Sequence, residues 1–302
     1  MSILARLKAL VSDPPPEYAF ELSEAGIAWA RHGSGGPQWT PIEAGTLDVS
    51  PLGDNVKEPQ RLAAAVHAIA PPPPGGRKRR AALILPDFSA RVTVLDFDTF
   101  PSNPEEQLQL ARFRAKRAVP FDIDSAIVSY HPQPRQDGSK KIDVVVAIIN
   151  LEVASHFEAP FRAAGFQCGF VTISALAALS LPASEEPVSA SPSIVAKLSG
   201  PVLALSLLDG HNLRMYRCVE LQEGNIEEAT DVLVTTFAYA EDELGKRPQV
   251  LRLCGLGRDG DDLKRRWSQE LGIPVTGQTS RYGTPGAFNA GLTGYLESRE
   301  AH

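Results

Sequence analysis

Residues 97–125 read FDTFPSNPEEQLQLARFRAKRAVPFDIDS, and the rest of the sequence is organised around this stretch. It opens with helix-start signals, because Ser102 or Asn103 can act as the cap and Pro104 suits the first helical position. Apolar residues then recur at spacings of three and four, at Leu108, Ala111, Ala115 and Ala118. The stretch therefore predicts a helix with one apolar face that ends before Pro120, since the residue preceding a proline disfavours the helical conformation.

The composition is that of an ordinary globular protein, with 302 residues of which 43% are hydrophobic and 22% are charged. A formal net charge of −6 argues against general binding of nucleic acid. No apolar run approaches the roughly 20 residues that span a bilayer, and the first 13 residues lack the apolar core of a signal peptide. We therefore expect a cytoplasmic protein. The 3 cysteines and 6 histidines show no metal-ligand spacing, so no metal site is expected.

The first half of the sequence alternates strand and helix patterns. Strands are predicted at 18–22, 27–31, 46–49, 81–85, 91–97, 126–131, 142–149 and 166–173, and helices at 58–70, 151–164 and 174–181. Residues 33–41 are expected to form a loop. A basic run at 77–80 has two interpretations: contact with anionic lipid or an acidic partner, or a solvated loop, which needs no ligand to explain it.

A segment rich in proline, serine and glutamate at 182–192 marks the best boundary between two lobes. Beyond it, strands are predicted at 193–198, 202–208, 213–220, 250–253 and 273–275, and helices at 225–244, 262–271 and 287–296. Asp209-Gly210 between two apolar runs is a strong hairpin signal. Gly165 should end the helix before it in the left-handed conformation.

A helix that is acidic at its start, basic at its end and stopped by AVPFD at 118–122 resembles the small extra subdomain of the type IV pilus assembly protein PilM family. The order of elements around it, including VAIINLEV at 146–153 and FRAAGF at 161–166, is similar to the same family over residues 18–296. The resemblance implies an α/β class protein with the two-lobed actin-like (ribonuclease H-like) fold, related to the cell-division protein FtsA. A small α+β subdomain would be inserted in the first lobe.

On this resemblance the chain divides into five segments. They are an N-terminal leader at 1–17, the first part of the first lobe at 18–97, the inserted subdomain at 98–172, the second part of the first lobe at 173–186 and the second lobe at 187–302. A single predicted helix fills the interval between Glu220 and Val250. We therefore expect the further subdomain that actin-like proteins commonly insert there to be absent or reduced.

The resemblance also implies where a nucleotide would bind. Actin-like ATPases hold the phosphates with two Asp-x-Gly hairpin turns and the nucleoside with a Gly-Gly loop. The first turn falls on Glu21 and Ser23, where glutamate replaces aspartate and serine replaces glycine. The second falls on Ala196, Lys197 and Leu198, and the third on Gly255 and Gly257. Because a side chain at a glycine position blocks close approach to phosphate, we expect no ATPase activity and no cofactor, with ATP and magnesium disfavoured.

The function implied by the resemblance is a non-catalytic scaffold of the type IV pilus inner-membrane assembly complex. In the family, the cytoplasmic N-terminal peptide of the membrane protein PilN docks on the first lobe beside the extra subdomain. By position, the partner-binding residues here would be Phe113, Arg117, Val119, Pro120 and Phe121. The protein would be cytoplasmic and peripheral to the inner membrane through this partner, with no nucleic acid bound.

Two alternatives remain open at the level of sequence. One is the cytoplasmic domain of the type II secretion protein GspL, which is also actin-like but continues into a membrane span; the sequence ends at His302 without one, which favours the pilus interpretation. The other is a true actin-like ATPase, which micromolar affinity for magnesium–ATP would support.

Overall fold

The computed structural model describes residues 15–33, 35–135, 140–184, 192–222, 225–256 and 260–300. Most of the predicted leader, the turn at 136–139, much of the predicted boundary segment and Gly257 lie outside these residues. The described residues form two five-stranded sheets, one three-stranded sheet and seven helices.

The strands, in chain order, are β1 Tyr18–Ser23, β2 Gly26–Arg31, β3 Gln38–Pro41, β4 Arg79–Leu85, β5 Arg91–Phe97, β6 Ala126–Pro134, β7 Ile142–Asn150, β8 Phe166–Ile173, β9 Ser193–Ser199, β10 Val202–Asp209, β11 Asn212–Glu220, β12 Val250–Cys254 and β13 Val275–Gly277. The helices are α1 Pro59–Ile69, α2 Pro104–Ala115, α3 Leu151–Ala163, α4 Ser174–Ala178, α5 Ile226–Leu244, α6 Gly260–Leu271 and α7 Ala290–Glu300.

The two five-stranded sheets have the same topology. The first, in the order β3-β2-β1-β4-β8, has three antiparallel strands followed by two parallel ones. The second, in the order β11-β10-β9-β12-β13, repeats this arrangement. We name the bodies built on these sheets the first lobe and the second lobe. Two lobes of equivalent topology are what the predicted fold class requires.

The third sheet, β5-β7-β6, carries α2 on one face and forms the inserted subdomain. The first and last residues of this subdomain differ from the predicted limits of 98–172. Strand β5 was assigned to the first lobe but pairs with β7 throughout its length. Strand β8 was assigned to the insert but pairs with β4 in the first lobe, and α3 packs into the first-lobe core through Val153, Phe157 and Phe161. The first-lobe sheet therefore passes directly from β4 to β8, although the inserted subdomain separates these strands in the sequence.

Helix α2 forms where the opening stretch predicted it. The side chain of Asn103 accepts a hydrogen bond from the backbone N–H of Glu105 at 2.8 Å, which caps the helix, and Pro104 occupies the first turn. The helix passes into a short 3₁₀ turn and ends at Val119, which is extended. Ala111 and Ala115 are buried against β7, as the apolar spacing predicted, whereas Ala118 in the 3₁₀ turn is exposed.

The first-lobe sheet corrects one local prediction. The third strand, β3, lies at Gln38–Pro41, within the segment predicted as a loop, and it pairs with β2 over four residues. The segment predicted as that strand, 46–49, contributes only an isolated bridge between Leu47 and Val56. The prediction followed apolar patterning, whereas β3 is an edge strand with mostly exposed side chains and so lacks that pattern.

The basic run at 77–80 is partly built into the fold. Arg79 is buried, with its guanidinium 4.1 Å from the ring centroid of Phe166 and a hydrogen bond to the carbonyl oxygen of Ala70 at 2.7 Å. Arg77 forms an exposed ion pair with Glu17 at 3.1 Å. The run is therefore neither wholly solvated nor a continuous basic surface, because one of its four side chains points into the core.

Helices α4 and α7 cross in direct backbone contact, and Ala178 and Ala290 of these helices share a buried cluster with Cys254 of the second lobe. A Cβ atom at Gly294 would lie 2.2 Å from the carbonyl oxygen of Ala177. At Gly291 it would lie 2.7 Å from the Cα atom of Ser174. Only glycine allows this approach. Helix α7 packs on the first-lobe sheet through Leu292, although the sequence analysis assigned its residues to the second lobe.

The inserted subdomain is also bonded to the second lobe. Asp143 of β7 is buried and forms ion pairs with Arg135 at 2.8 Å and with Arg214 of β11. The side-chain amide of Gln133 pairs with the backbone of Leu213 in both directions, donating at 3.0 Å and accepting at 2.8 Å. The insert therefore occupies the outer edge of β11, which would otherwise be a free sheet edge.

Candidate functional site

A cavity of ≈ 220 Å³ lies between the two lobes. Its walls are the β1–β2 turn and the turn after β4 in the first lobe, and the β9–β10 turn in the second. Phe288 lies beside the cavity and stacks on Trp39 of β3, with ring centroids 5.9 Å apart. This is the position where parallel strand ends and hairpin turns of both sheets converge, as at ligand sites of α/β proteins.

Glu21, at the first predicted phosphate position, is buried at the floor of the cavity. Its carboxylate accepts hydrogen bonds from the hydroxyl of Ser174 and from the backbone N–H of Leu292 at 2.7 Å. Ser23 closes its own hairpin, because its hydroxyl donates to the carbonyl oxygen of Gly26 at 3.0 Å. Both side chains at this turn are therefore already engaged within the protein.

Lys197, at the second predicted position, projects from β9 into the same space. Its ammonium lies 2.9 Å from a carboxylate oxygen of Asp87 and also contacts the hydroxyl of Ser199. The two charged side chains are only 2% and 1% exposed. The other carboxylate oxygen of Asp87 accepts from the backbone N–H of Ala175 at 2.6 Å. A buried ion pair thus joins the second lobe to the first.

The electrostatics of the cavity depend on these groups. Burial raises the pKa of Glu21 above its ordinary value, although the ammonium of Lys197 opposes that effect. Burial alone would lower the pKa of Lys197, but the carboxylates of Asp87 and Glu21 outweigh it and raise that pKa above 10.5. The lysine therefore contributes its full stabilisation below pH 10.5, and the contribution is lost as the pH rises through the higher pKa of the folded state.

The charge of the lining is unfavourable for a triphosphate. Among the described lining residues the carboxyl groups are those of Glu21, Glu24, Asp87 and Glu220, and the one cationic side chain is Lys197. A bound phosphate chain would face these carboxyl groups at short range, with the ammonium already paired. No group of three or more side chains suited to hold a metal ion occurs within the described parts of the chain.

Of the remaining predicted nucleotide positions, the three that the structure describes do not line the cavity. Ala196 is buried in the second-lobe core, and Leu198 packs against that core. Gly255 has a φ of +86°, and a Cβ atom there would lie 2.3 Å from the carbonyl oxygen of Leu198. A glycine is therefore needed here because of the local backbone packing, and no ligand is required to explain it. Gly257 lies outside the described residues.

Asp87 is the site residue that sequence reasoning missed. It lies between the strands predicted at 81–85 and 91–97, and the sequence analysis assigned it no role. The available signal was its position directly after a buried parallel strand, where the carboxyl ends of strands present functional side chains. Its partner is 110 residues away in the sequence, so the pairing itself carried no local signal.

A second concave feature, which we name the edge groove, lies between the first lobe and the inserted subdomain. Its volume is ≈ 340 Å³, and β6, β7, β8, α3 and α4 contribute to its lining. Strands β6 and β8 are each the last strand of their sheet, so one side of each backbone has no strand partner among the described residues. Ile127 and Val171 line the groove and are 46% and 40% exposed.

The chemistry of the edge groove is largely apolar. Phe170, Ile149 and Leu176 add to its lining, and Glu158 is the only charged residue among the described side chains that line it. An apolar channel flanked by unpaired strand edges is the arrangement that binds extended peptides by strand addition. A single carboxylate at its wall favours a peptide that carries a basic residue.

The predicted partner-binding residues lie elsewhere on the inserted subdomain. Phe113 on α2 is 75% exposed, and Arg117 and Pro120 are also exposed. Val119 and Phe121 instead pack against the core of the subdomain. None of the five lines the edge groove. The groove lies on the sheet face opposite α2, because Ile127 and Ala147 line the groove whereas Val144 and Val146 pack in the core beneath α2.

Within the described residues, no helix combines the length and the apolar character needed to cross a lipid bilayer. No protein-family model matches the sequence, and no curated protein matches it.

The chain is similar in structure to a chain of the PilM–PilN type IV pilus biogenesis complex, with a TM-score of 0.74, 16% identity, and coverage of 96% of this chain and 100% of that one. It also matches a protein of unknown function with the actin-like ATPase fold from Bacteroides thetaiotaomicron (TM-score 0.49, 11% identity, 86% and 90% covered). A third match is the cytoplasmic domain of EpsL, an inner membrane component of the type II secretion system of Vibrio cholerae (TM-score 0.48, 13% identity, 78% and 80% covered). The chain has the two-lobed actin-like fold, and the match to the PilM–PilN complex confirms, at the level of the fold, the resemblance to PilM that the sequence predicted.

Proposed function

We propose that this protein is a non-catalytic, PilM-like scaffold of a type IV pilus assembly complex, and that it binds the cytoplasmic N-terminal peptide of a PilN-type membrane protein in the edge groove. The observation that carries the proposal is an apolar groove between two free strand edges, on a fold shared over its whole length with a chain of a PilM–PilN complex. The protein would then be cytoplasmic and held at the inner membrane by its partner.

The chemistry of the groove specifies the bound peptide. An extended segment can pair its backbone with β8 or β6 and place alternate apolar side chains against Ile127 and Val171. A basic side chain can reach Glu158. A short peptide held by backbone pairing needs no large interface, because the groove is already formed.

The groove proposal predicts that Val171→Asp weakens peptide binding by about 10–100-fold, because the new carboxylate would be buried in an apolar wall without a partner. The measurement is fluorescence anisotropy with a labelled synthetic peptide that copies the N-terminal cytoplasmic segment of the PilN-type protein from the same organism. Val171 is 40% exposed, so the variant is expected to fold, which its circular dichroism spectrum checks.

The matched control is Phe113→Asp, which adds the same charge on α2, outside the groove. Its affinity for the peptide is expected to equal that of the unchanged protein. Loss of binding in Phe113→Asp with full binding in Val171→Asp would move the site to the α2 surface. Absence of binding to the unchanged protein would remove the PilN-type partner from the proposal.

The absence of catalysis has its own test. We expect magnesium–ATP at millimolar concentration to leave the melting temperature unchanged, because the cavity offers a triphosphate one ammonium that is already paired and several carboxyl groups. A ligand present at about 1,000 times its dissociation constant would stabilise the fold by about 4 kcal/mol. A rise of several degrees would therefore reveal micromolar affinity and favour the true ATPase.

A further inference from the structure

We infer that the Lys197 side chain is a built-in counter-cation for the interlobe cavity, and that it stabilises the closed arrangement of the two lobes without any bound ligand. The ammonium comes from β9 of the second lobe and ion-pairs with Asp87 of the first lobe at 2.9 Å. Both side chains are almost completely buried. The contact therefore spans the lobe boundary at the centre of the cavity.

The lobe to which each charged group belongs explains why contact between the two lobes depends on this lysine. Asp87 and Glu21 both belong to the first lobe, as do Ala175 and Ser174, which hydrogen-bond to them. Backbone and hydroxyl donors orient these two carboxyl groups but do not neutralise them. The cation that neutralises Asp87 comes from the second lobe, so separating the lobes would leave the Asp87 carboxylate without its counter-charge.

The ammonium is ion-paired with Asp87, and Glu21 also influences the electrostatics of the pair. Burial raises the pKa of Glu21, and the pKa of Lys197 is raised by Asp87 and Glu21 despite burial. The turn at 196–198, which the resemblance assigned to phosphate binding, thus carries a lysine and no carboxylate. A lysine attached to the chain is present at every closure, whereas a metal or nucleotide would have to be bound each time.

The role of the lysine extends beyond the proposed peptide binding, because none of these residues lines the edge groove. It predicts that the lobes of the isolated protein are closed and that their closure does not respond to magnesium or nucleotide. A failure of the peptide experiment would leave this inference standing, and the reverse also holds.

The first test is a double-mutant cycle with Lys197→Met, Asp87→Asn and the double variant, followed by thermal unfolding. Each single change is expected to lower the melting temperature by about 5–10 °C, because it strands a buried charge. The double variant should melt higher than the sum of the single losses predicts, since both charges are gone. Additive losses would show that the two side chains are not coupled and would overturn the inference.

The second test is chemical rescue of Lys197→Ala, which leaves room for a small organic cation beside Asp87 and Glu21. Ethylammonium or butylammonium chloride should restore several degrees of melting temperature relative to sodium chloride at equal ionic strength. The control is Lys264→Ala, which removes a partly exposed ammonium paired with Asp261 and should show no rescue. Equal responses of the two variants would contradict the inference, and so would no response of Lys197→Ala. If Lys197→Ala does not fold, the cycle with Met and Asn decides.

Discussion

Replacing Gly294 by valine is expected to destabilise the protein by about 3 kcal/mol or more, because there is no space for a side chain where α7 crosses α4. A Cβ atom at this position would lie 2.2 Å from the carbonyl oxygen of Ala177 and 2.9 Å from the Cα atom of Ala178. Both obstacles are backbone atoms, so no side-chain rotation relieves the overlap. Urea unfolding followed by circular dichroism measures the loss as a lower transition midpoint.

The control for this helix crossing is Gly169→Ala. A Cβ atom at Gly169 meets no atom within 4 Å, so alanine there should leave the midpoint nearly unchanged. If Gly294→Val unfolds at the same urea concentration as the unchanged protein, the two helices do not meet in solution as the structure shows. Because this crossing joins segments from both halves of the chain, its loss is also expected to make unfolding less cooperative.

Asp143→Ala is expected to cost about 2–4 kcal/mol of folding stability, because one buried carboxylate neutralises two arginines. The side chain of Asp143 is 2% exposed, while those of Arg135 and Arg214 are 20% and 16% exposed. The arginines retain some contact with water, which keeps the expected loss below that of a fully buried pair. Equilibrium unfolding measures the change in free energy.

The control for a buried ion pair is an exposed one. Asp261→Ala removes a carboxylate that is 85% exposed and pairs with Lys264 at 3.0 Å, and its expected cost is within about 0.5 kcal/mol. If the two variants lose equal free energy of unfolding, the ion pairs of Asp143, which connect the inserted subdomain to the second lobe, add no more stability than an exposed pair. Asp143→Asn should fall between the two, since the amide keeps one acceptor but carries no charge.

Local signals predicted most of the elements. The cap at Asn103 and the apolar spacing placed α2. Gly165 follows α3 in the left-handed conformation, with a φ of +84°, as the sequence predicted. Asp209 pairs with Asn212 across the hairpin turn that the sequence predicted. These features depend on interactions between residues a few positions apart, which a sequence displays directly. The edge strand β3 was missed because its exposed side chains produce no apolar pattern.

The candidate sites were harder to predict than the elements. The sequence identified Glu21 and Ser23 as unsuited to phosphate, and the structure places both on the interlobe cavity with their side chains bonded within the protein. It did not identify Asp87 as the partner of Lys197. The edge groove was also not predicted, because it depends on which strand ends each sheet: β8 was expected in the insert and instead closes the first-lobe sheet.

By itself, the sequence determined the helices, the hairpins other than β2–β3, the fold class and the absence of acidic and glycine residues at the second phosphate turn. These are consequences of side-chain periodicity, capping and residue type. Only the tertiary structure decided that Lys197 meets Asp87, that Asp143 holds two arginines, and that β6 and β8 leave a groove between them. The reason is physical: ion pairs and grooves arise where separate sheets meet, and the distances that set their energies are fixed by packing across the lobes.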